Sequence, residues 1–374
     1  MPAKAKLIIA SSENCADLFW ATRFSVPDPI VFIQIGGKKM LIASDLEFGR
    51  AQKEAAVDQV LSYSQLQKKL YQLGKKKVLE LDILEHLLKG KGVREIEVPS
   101  YFPIRYAKAL EGRRFRLHPM PDPFFPERQF KTKEEKNQIV KSLRSTERAI
   151  RFAIETIKKT KVRSQKLYLG GTLLTSDLLR KMMELKMMED GCLGRHTIVA
   201  SGRQAADPHC IGNGPLYPNQ TIVLDVFPKS IKSGYYGDIT RTVFKGRAPD
   251  RLKEMYNAVK EAQRKGISMV RHGVDGSKVH RAVQAVLESH GFKTGYDNGR
   301  PEGFIHGTGH GLGLDIHEPP RVNRFPEKLK TGYVVTVEPG LYYEKLGGIR
   351  IEDVVYVTRN GCEVLTKLPR QFEV

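Results

Sequence analysis

The residues best placed to do chemistry are five possible metal ligands in the last third of the chain, each set in a short apolar run. Asp225 lies in Thr-Ile-Val-Leu-Asp-Val-Phe, residues 221–227, and Asp238 opens Asp-Ile-Thr-Arg-Thr-Val-Phe. His310 sits in His-Gly-Thr-Gly-His-Gly-Leu-Gly, residues 306–313. Glu338 ends Val-Val-Thr-Val-Glu, and Glu352 lies in Ile-Arg-Ile-Glu-Asp-Val-Val. A carboxylate buried in a β run costs several kcal/mol unless a cation or a dense set of hydrogen bonds compensates it. Four carboxylates and one imidazole in separate strands would repel one another without a shared counter-charge. One or two divalent cations are the simplest answer, and four oxygen donors against one nitrogen favour hard or borderline metals.

Strand periodicity supports a shared site, because residues i, i+2 and i+4 of a strand share a face. Arg350 and Glu352 then point one way and Ile349 and Ile351 the other. If residues 306–313 are extended, Gly307, Gly309, Gly311 and Gly313 share one face, and His306, Thr308, His310 and Leu312 share the opposite one. Glycine on alternate positions lets a neighbouring backbone approach closely.

These motifs resemble those of the metal-dependent pita-bread aminopeptidases, the family of methionine aminopeptidase, aminopeptidase P and prolidase. In that family the ligands run Asp, Asp, His, Glu, Glu along the chain, as Asp225, Asp238, His310, Glu338 and Glu352 do here. The flanking Asp-Ile-Thr-Arg-Thr, Gly-His-Gly-Leu-Gly, His-Glu-Pro, Val-Glu-Pro-Gly and Arg-Ile-Glu-Asp also match, and the resemblance runs from about residue 130 to the end. The two aspartates are thirteen positions apart, slightly wider than the family pattern. Extra residues in a loop around 229–233 would absorb the difference. Pro208-His209, His306, His317 and Arg350 match the aminopeptidase P and prolidase branch rather than methionine aminopeptidase.

The resemblance implies an exopeptidase hydrolysing the Xaa-Pro bond at peptide N-termini, as an aminopeptidase or a dipeptidase. Asp225 would hold one ion, His310 and Glu338 the other, and Asp238 and Glu352 would bridge the two. Glu338 would be the general base. His306 and His317 would position substrate and donate to the developing oxyanion, while His209 and Arg350 shape the substrate cleft. Manganese suits so carboxylate-rich a site, with cobalt, iron or zinc as substitutes. A homodimer and a peptide substrate with proline second complete the expectation. The alternative is a catalytically silent pita-bread protein that binds nucleic acid or protein; such members typically lose ligands, and all five are present here.

Composition narrows the field. The chain has 374 residues, 40% hydrophobic and 28% charged, enough for two domains with real cores. No run approaches the roughly 18 apolar residues of a membrane span. The start has four consecutive apolar residues, Leu7 to Ala10, too few for a signal-peptide core, which favours a cytoplasmic protein. Cys15, Cys192, Cys210 and Cys362 form no Cys-x-x-Cys pattern and read as reduced thiols. The net charge of +20 raises nucleic-acid binding, but the basic clusters at 75–77, 113–116 and 158–166 are scattered and lack interleaved aromatics. A solvated basic surface is the favoured reading. The other histidines, His86, His118, His196, His272, His280 and His290, lack motif context.

The elements that must carry the site follow from pattern and punctuation. The fold class is α+β: a smaller α/β N-terminal domain over residues 1–125, expected to be non-catalytic, then a pita-bread catalytic domain over 126–374. Residues 29–35 and 39–43 around Gly36-Gly37 predict a hairpin, and 63–73 and 83–88 carry helical spacing. Pro119, Pro121, Pro123 and Pro126 suit a linker. Thr132 with Glu135 three residues on is a capping box opening a long helix. Residues 173–188 and 250–270 predict further helices, with Met182, Met183, Met187 and Met188 as core filler. Helices followed by paired strands, twice over, match the family's pseudo-repeat.

Overall fold

The first strand, Ala3–Ala10, turns from alternating lysines to the run Leu7, Ile8 and Ile9, which is buried on both faces. Leu7 and Ile9 pack with Ile83, Leu84 and Leu88 on one side, and Ile8 packs with Leu18, Phe32 and Phe124 on the other. The computed structural model describes residues 3–374, and the chain divides into two units after Arg128. In the first unit a six-stranded sheet runs in the order Gln59–Ser62, Lys38–Ala43, Ile30–Ile35, Ala3–Ala10, Val93–Pro99, Arg116–Met120. The central hairpin forms as expected. Gly36 and Gly37 take φ of +55° and +86°, the left-handed pair that a tight two-residue turn requires. Helices Tyr63–Gln72 and Glu80–Gly90 stand where the spacing placed them.

The proline-rich stretch differs from the expected linker. Pro119 lies in the edge strand Arg116–Met120, the position in a sheet where a residue without an N–H is tolerated. Phe124 and Phe125 are buried in the core of the first unit. Their apolar area outweighs the proline punctuation, so the segment completes the first unit.

The second unit, Gln129–Val374, opens on the 27-residue helix Lys133–Lys159. Thr132 and Glu135 form the predicted capping box. A second helix, Ser176–Glu189, starts three residues later than its apolar spacing suggested: Leu173 belongs to the short strand Thr172–Leu173, and Thr175 caps the helix. After the three-stranded sheet Ile198–Ser201, Thr221–Val226, Ile239–Phe244 come helices Asp250–Met269 and Gly276–Ser289. The last of these was not anticipated, although Asp275 caps it and Val279, Val283 and Leu287 are buried at a spacing of four. A five-stranded sheet follows, ordered Glu318–Val322, Gly309–Gly311, Val334–Val337, Asp353–Val357, Cys362–Val364. Helix pair then antiparallel sheet thus occurs twice. No helix among the described residues is long and apolar enough to cross a membrane.

Candidate metal centre

Two antiparallel hairpins present the four carboxylates. In the first, Asp225 stands opposite Thr240 and Val226 opposite Ile239, so Asp238 follows on the face of Asp225 and Thr240. Between the aspartates the chain leaves the ladder, and Lys229–Ser230 pairs with Cys192–Leu193, which takes up the wider spacing. In the second hairpin Val337 pairs with Asp353, leaving Glu338 and Glu352 at the next step of the same ladder. His310 lies at the middle of Gly309–Gly311, between Glu318–Val322 and Val334–Val337. A Cβ on Gly309 would lie 2.0 Å from the Thr336 carbonyl oxygen, so only glycine permits this backbone approach. The strand is shorter than the extended 306–313 run expected, because a register shift falls between His310 and Gly311.

Asp225, Asp238, His310, Glu338, Glu352, His209, His306, His317 and Arg350 all line one cavity of about 540 Å³. Its tightest cluster is Asp238, His310 and Glu352, all buried, with one ligand atom of each within 4.8 Å of the others. His310 Nε2 is 3.1 Å from Glu338 and 3.7 Å from Asp238. Asp225 is engaged otherwise: Arg350 Nη2 donates to one oxygen at 2.6 Å, and the other lies 2.9 Å from the Thr240 hydroxyl. That hydroxyl also stands 2.8 Å from Glu352 and has a single proton for the two carboxylates.

The donors fit one or two divalent cations. His310 Nδ1 lies 3.1 Å from the Gly311 carbonyl, which can only accept. Nδ1 therefore carries a proton, and Nε2 is the nitrogen that faces the carboxylates. Glu352 Oε1 is buried with no hydrogen-bond partner. Burial, then the neighbouring carboxylates, push Asp238 and Glu352 well above the usual carboxylate range. Burial also works against the Glu338 charge, but His310, His306 and Arg350 hold its pKa down at about 2. An imidazole nitrogen turned to the acids, an orphaned carboxylate oxygen and crowded carboxylates make a site for a hard or borderline cation.

Around this centre the geometry separates the remaining residues. Burial opposes the Arg350 charge, yet Tyr342, Asp225 and Glu338 keep its pKa well above the ordinary guanidinium value. Arg350 Nη1 donates to the Tyr342 hydroxyl at 2.6 Å, and that hydroxyl donates onward to His306 Nε2 at 2.9 Å. His306 Nδ1 donates to the Gly307 carbonyl at 2.8 Å. Both ring nitrogens of His306 are therefore engaged within the protein. His317 packs edge-on to His310 with ring centroids 4.4 Å apart. Burial, then the His310 charge, lower its pKa to about 4, so it is a neutral imidazole with one N–H to offer. His209 is exposed on the cavity rim.

Sequence reasoning missed Thr240, Tyr342 and the pair Arg241 and Asp353. Thr240 sits two residues past Asp238 and so shares its face, a signal the alternation carried. Arg241 follows Thr240 and Asp353 follows Glu352, and both turn to the opposite side of the strands. There Arg241 Nη2 donates to Asp353 at 2.7 Å, both side chains fully buried.

Residues 137–359 match the model of metallopeptidase family M24. The Xaa-Pro dipeptidase of Pyrococcus furiosus is 32% identical over 244 residues, 65% of this chain and 64% of that protein. The Xaa-Pro dipeptidase of Pyrococcus horikoshii is 28% identical over 286 residues, 75% of this chain and 76% of that protein. The match to the Pyrococcus furiosus sequence thus spans just under two thirds of that relative's length. Among solved structures, the prolidase from Pyrococcus furiosus superposes with a TM-score of 0.79 at 26% identity, covering 98% of this chain and 97% of that one. The X-Pro aminopeptidase from Thermotoga maritima superposes at 0.81 and 25%, covering 100% and 98%. The architecture is the pita-bread fold preceded by a smaller α/β domain.

Proposed function

The chain belongs to metallopeptidase family M24, and from that premise we propose that it hydrolyses the Xaa-Pro bond at peptide N-termini with two divalent cations. The observation that carries this reading is the convergence of all nine sequence-selected residues on one cavity. The names of the two Pyrococcus relatives support the same substrate class. A catalytically silent binding protein is not favoured, since every expected ligand type is present and faces that cavity.

Asp225, Asp238, His310, Glu338 and Glu352 would hold the ions, manganese first among them, with cobalt, iron or zinc as substitutes. Such ions supply an acidic water and polarise the scissile carbonyl. Glu338 is kept ionised, and the Thr336 hydroxyl donates to it at 2.9 Å, so it is oriented to take the proton of the attacking water. It then returns that proton to the leaving proline nitrogen. His317 donates its N–H to the developing oxyanion. His306 and Tyr342 hold Arg350, which in turn holds Asp225, and His209 flanks the entrance. An Xaa-Pro bond has no amide N–H, so recognition falls on the carbonyl, the free amino terminus and the ring. The N-terminal domain is assigned a non-catalytic role. A homodimer is carried over from the resemblance, and a cytoplasmic location accords with four free cysteines.

The test compares kcat/KM on Ala-Pro-Ala and Met-Ala-Ser for the manganese-loaded protein, with bound metal quantified. Preference for Ala-Pro-Ala is expected; preference for Met-Ala-Ser would overturn the reading.

A further inference from the structure

Gly313 closes the Gly-His-Gly-Leu-Gly motif and Glu318 stands in the middle of His-Glu-Pro, yet neither lines the carboxylate cavity. The two meet beside it. A Cβ on Gly313 would lie 2.5 Å from one Glu318 carboxylate oxygen and 2.7 Å from the other, so this glycine is the space the carboxylate occupies. Gly311 pairs with Glu318 in the ladder, which makes residues 312–317 the turn between the strands Gly309–Gly311 and Glu318–Val322. The Glu318 side chain folds back into that turn. Its Oε1 accepts the N–H groups of Leu314 at 3.0 Å and Asp315 at 3.2 Å, and its Oε2 accepts from Lys131 Nζ at 2.8 Å. Both members of this ion pair are buried, each 3% exposed.

Lys131 is itself held in place. Its N–H donates to the Gly332 carbonyl at 2.8 Å, just before the strand Val334–Val337 that leads to Glu338, and Thr132 caps the long helix. The turn is tied to the same framework at its start: Leu312 N–H donates to the Val334 carbonyl at 3.0 Å, and the Gly313 carbonyl accepts from Tyr236 N–H at 2.9 Å. The far end of the turn carries Ile316 and His317 into the catalytic cavity. The His317 ring packs on His310 and makes no hydrogen bond among the described residues, so its place is set by its backbone. A buried ion pair is a poor source of stability, since apolar residues of similar volume often serve as well. Only a carboxylate can grip two N–H groups from inside the turn.

We propose that Lys131 and Glu318 are a positioning pair, which acts through the 312–317 turn to hold His317 where its N–H meets the developing oxyanion. The proposal rests on the Xaa-Pro reading above. Displacing such a donor by about 1 Å can cost on the order of 10²-fold in rate.

The test uses the full-length manganese-loaded protein and measures kcat and KM on Ala-Pro-Ala, bound metal and Tm. K131M and E318A should each lower kcat by at least about tenfold, with KM changed by less than about twofold and bound metal unchanged. G313A alters no charge and should do the same, because its methyl displaces the carboxylate. E318Q keeps an acceptor for the turn and should retain more of kcat than E318A. The deciding measurement is made in H317A. With the ring gone, K131M and E318A should lower kcat no further, because the pair acts through that ring. E318Q and G313A, both close to the native shape, carry the same comparison should K131M fail to fold. The same fold-loss in H317A as in wild type, a lower Tm at unchanged kcat, activity lost in step with metal, or an H317A protein as active as wild type would each overturn the proposal and leave the Xaa-Pro reading standing. A wild type that cleaves Met-Ala-Ser and no Xaa-Pro peptide would remove both.

Discussion

Replacing Arg241 with methionine should loosen the metal centre from behind. Its guanidinium donates to Asp353 and Leu368 at 2.7 Å, to Thr240 at 2.9 Å, to Pro369 at 3.2 Å and to the Glu352 carbonyl. Two of those carbonyls belong to Glu352, which lines the cavity, and to Thr240, whose hydroxyl meets Asp225 and Glu352. Breaking a buried ion pair from one side costs about 3–5 kcal/mol. Asp353 keeps Gln263, Thr366 and Arg370 as partners, which places the cost near the lower end, ~3 kcal/mol. For a unit of this size that lowers Tm by about 6–12 °C. Burial raises the Asp353 pKa, but Arg241, Arg370 and Thr366 hold it below the ordinary carboxylate value. A depressed folded pKa stabilises above the unfolded value of about 3.9 and loses that stabilisation as pH falls through the folded value. The gap between wild type and R241M should therefore be full from about pH 5 to 8 and narrow below about pH 4. Differential scanning calorimetry across that range, with manganese binding by titration calorimetry, measures both effects. R241K, which keeps the charge but loses the planar fork, should fall between the two. An R241M protein melting within about 2 °C of wild type, with unchanged manganese affinity, would refute the reasoning.

Asp238→Asn and Glu352→Gln should each lose bound metal and activity, because both carboxylates sit in the tightest cluster; elemental analysis showing two ions retained at normal turnover would count against the ligand assignment. Glu338→Gln should lower kcat by at least about 10²-fold, as removal of a general base does, and a change confined to KM would argue for a binding role instead. Gly309→Ala should destabilise by about 1–3 kcal/mol or more through overpacking, since its methyl meets the Thr336 backbone at 2.0 Å; an unchanged melting curve would show that the strand can move aside.

Residue type and local period determined much of this protein. Acids and one histidine in apolar runs picked out residues that line one cavity, and alternation placed Arg350 with Glu352 on one face while Ile349 and Ile351 went to the core. Thr132 and Glu135 marked the long helix, and Gly36-Gly37 the hairpin, because caps and tight turns are written within four residues. What lay beyond that reach was decided by tertiary structure. Arg350 meets Asp225 across 125 positions and Thr240 meets Glu352 across 112, contacts that exist only once two separate hairpins face each other. The hydrogen-bond chain from Arg350 through Tyr342 engages the second ring nitrogen of His306, which no motif spacing expresses. Phe124 and Phe125 draw a proline-rich stretch into a core because buried area is settled by what packs over it, not by the turn residues beside it. Period encodes the face a side chain takes; only the folded chain decides which distant face it meets.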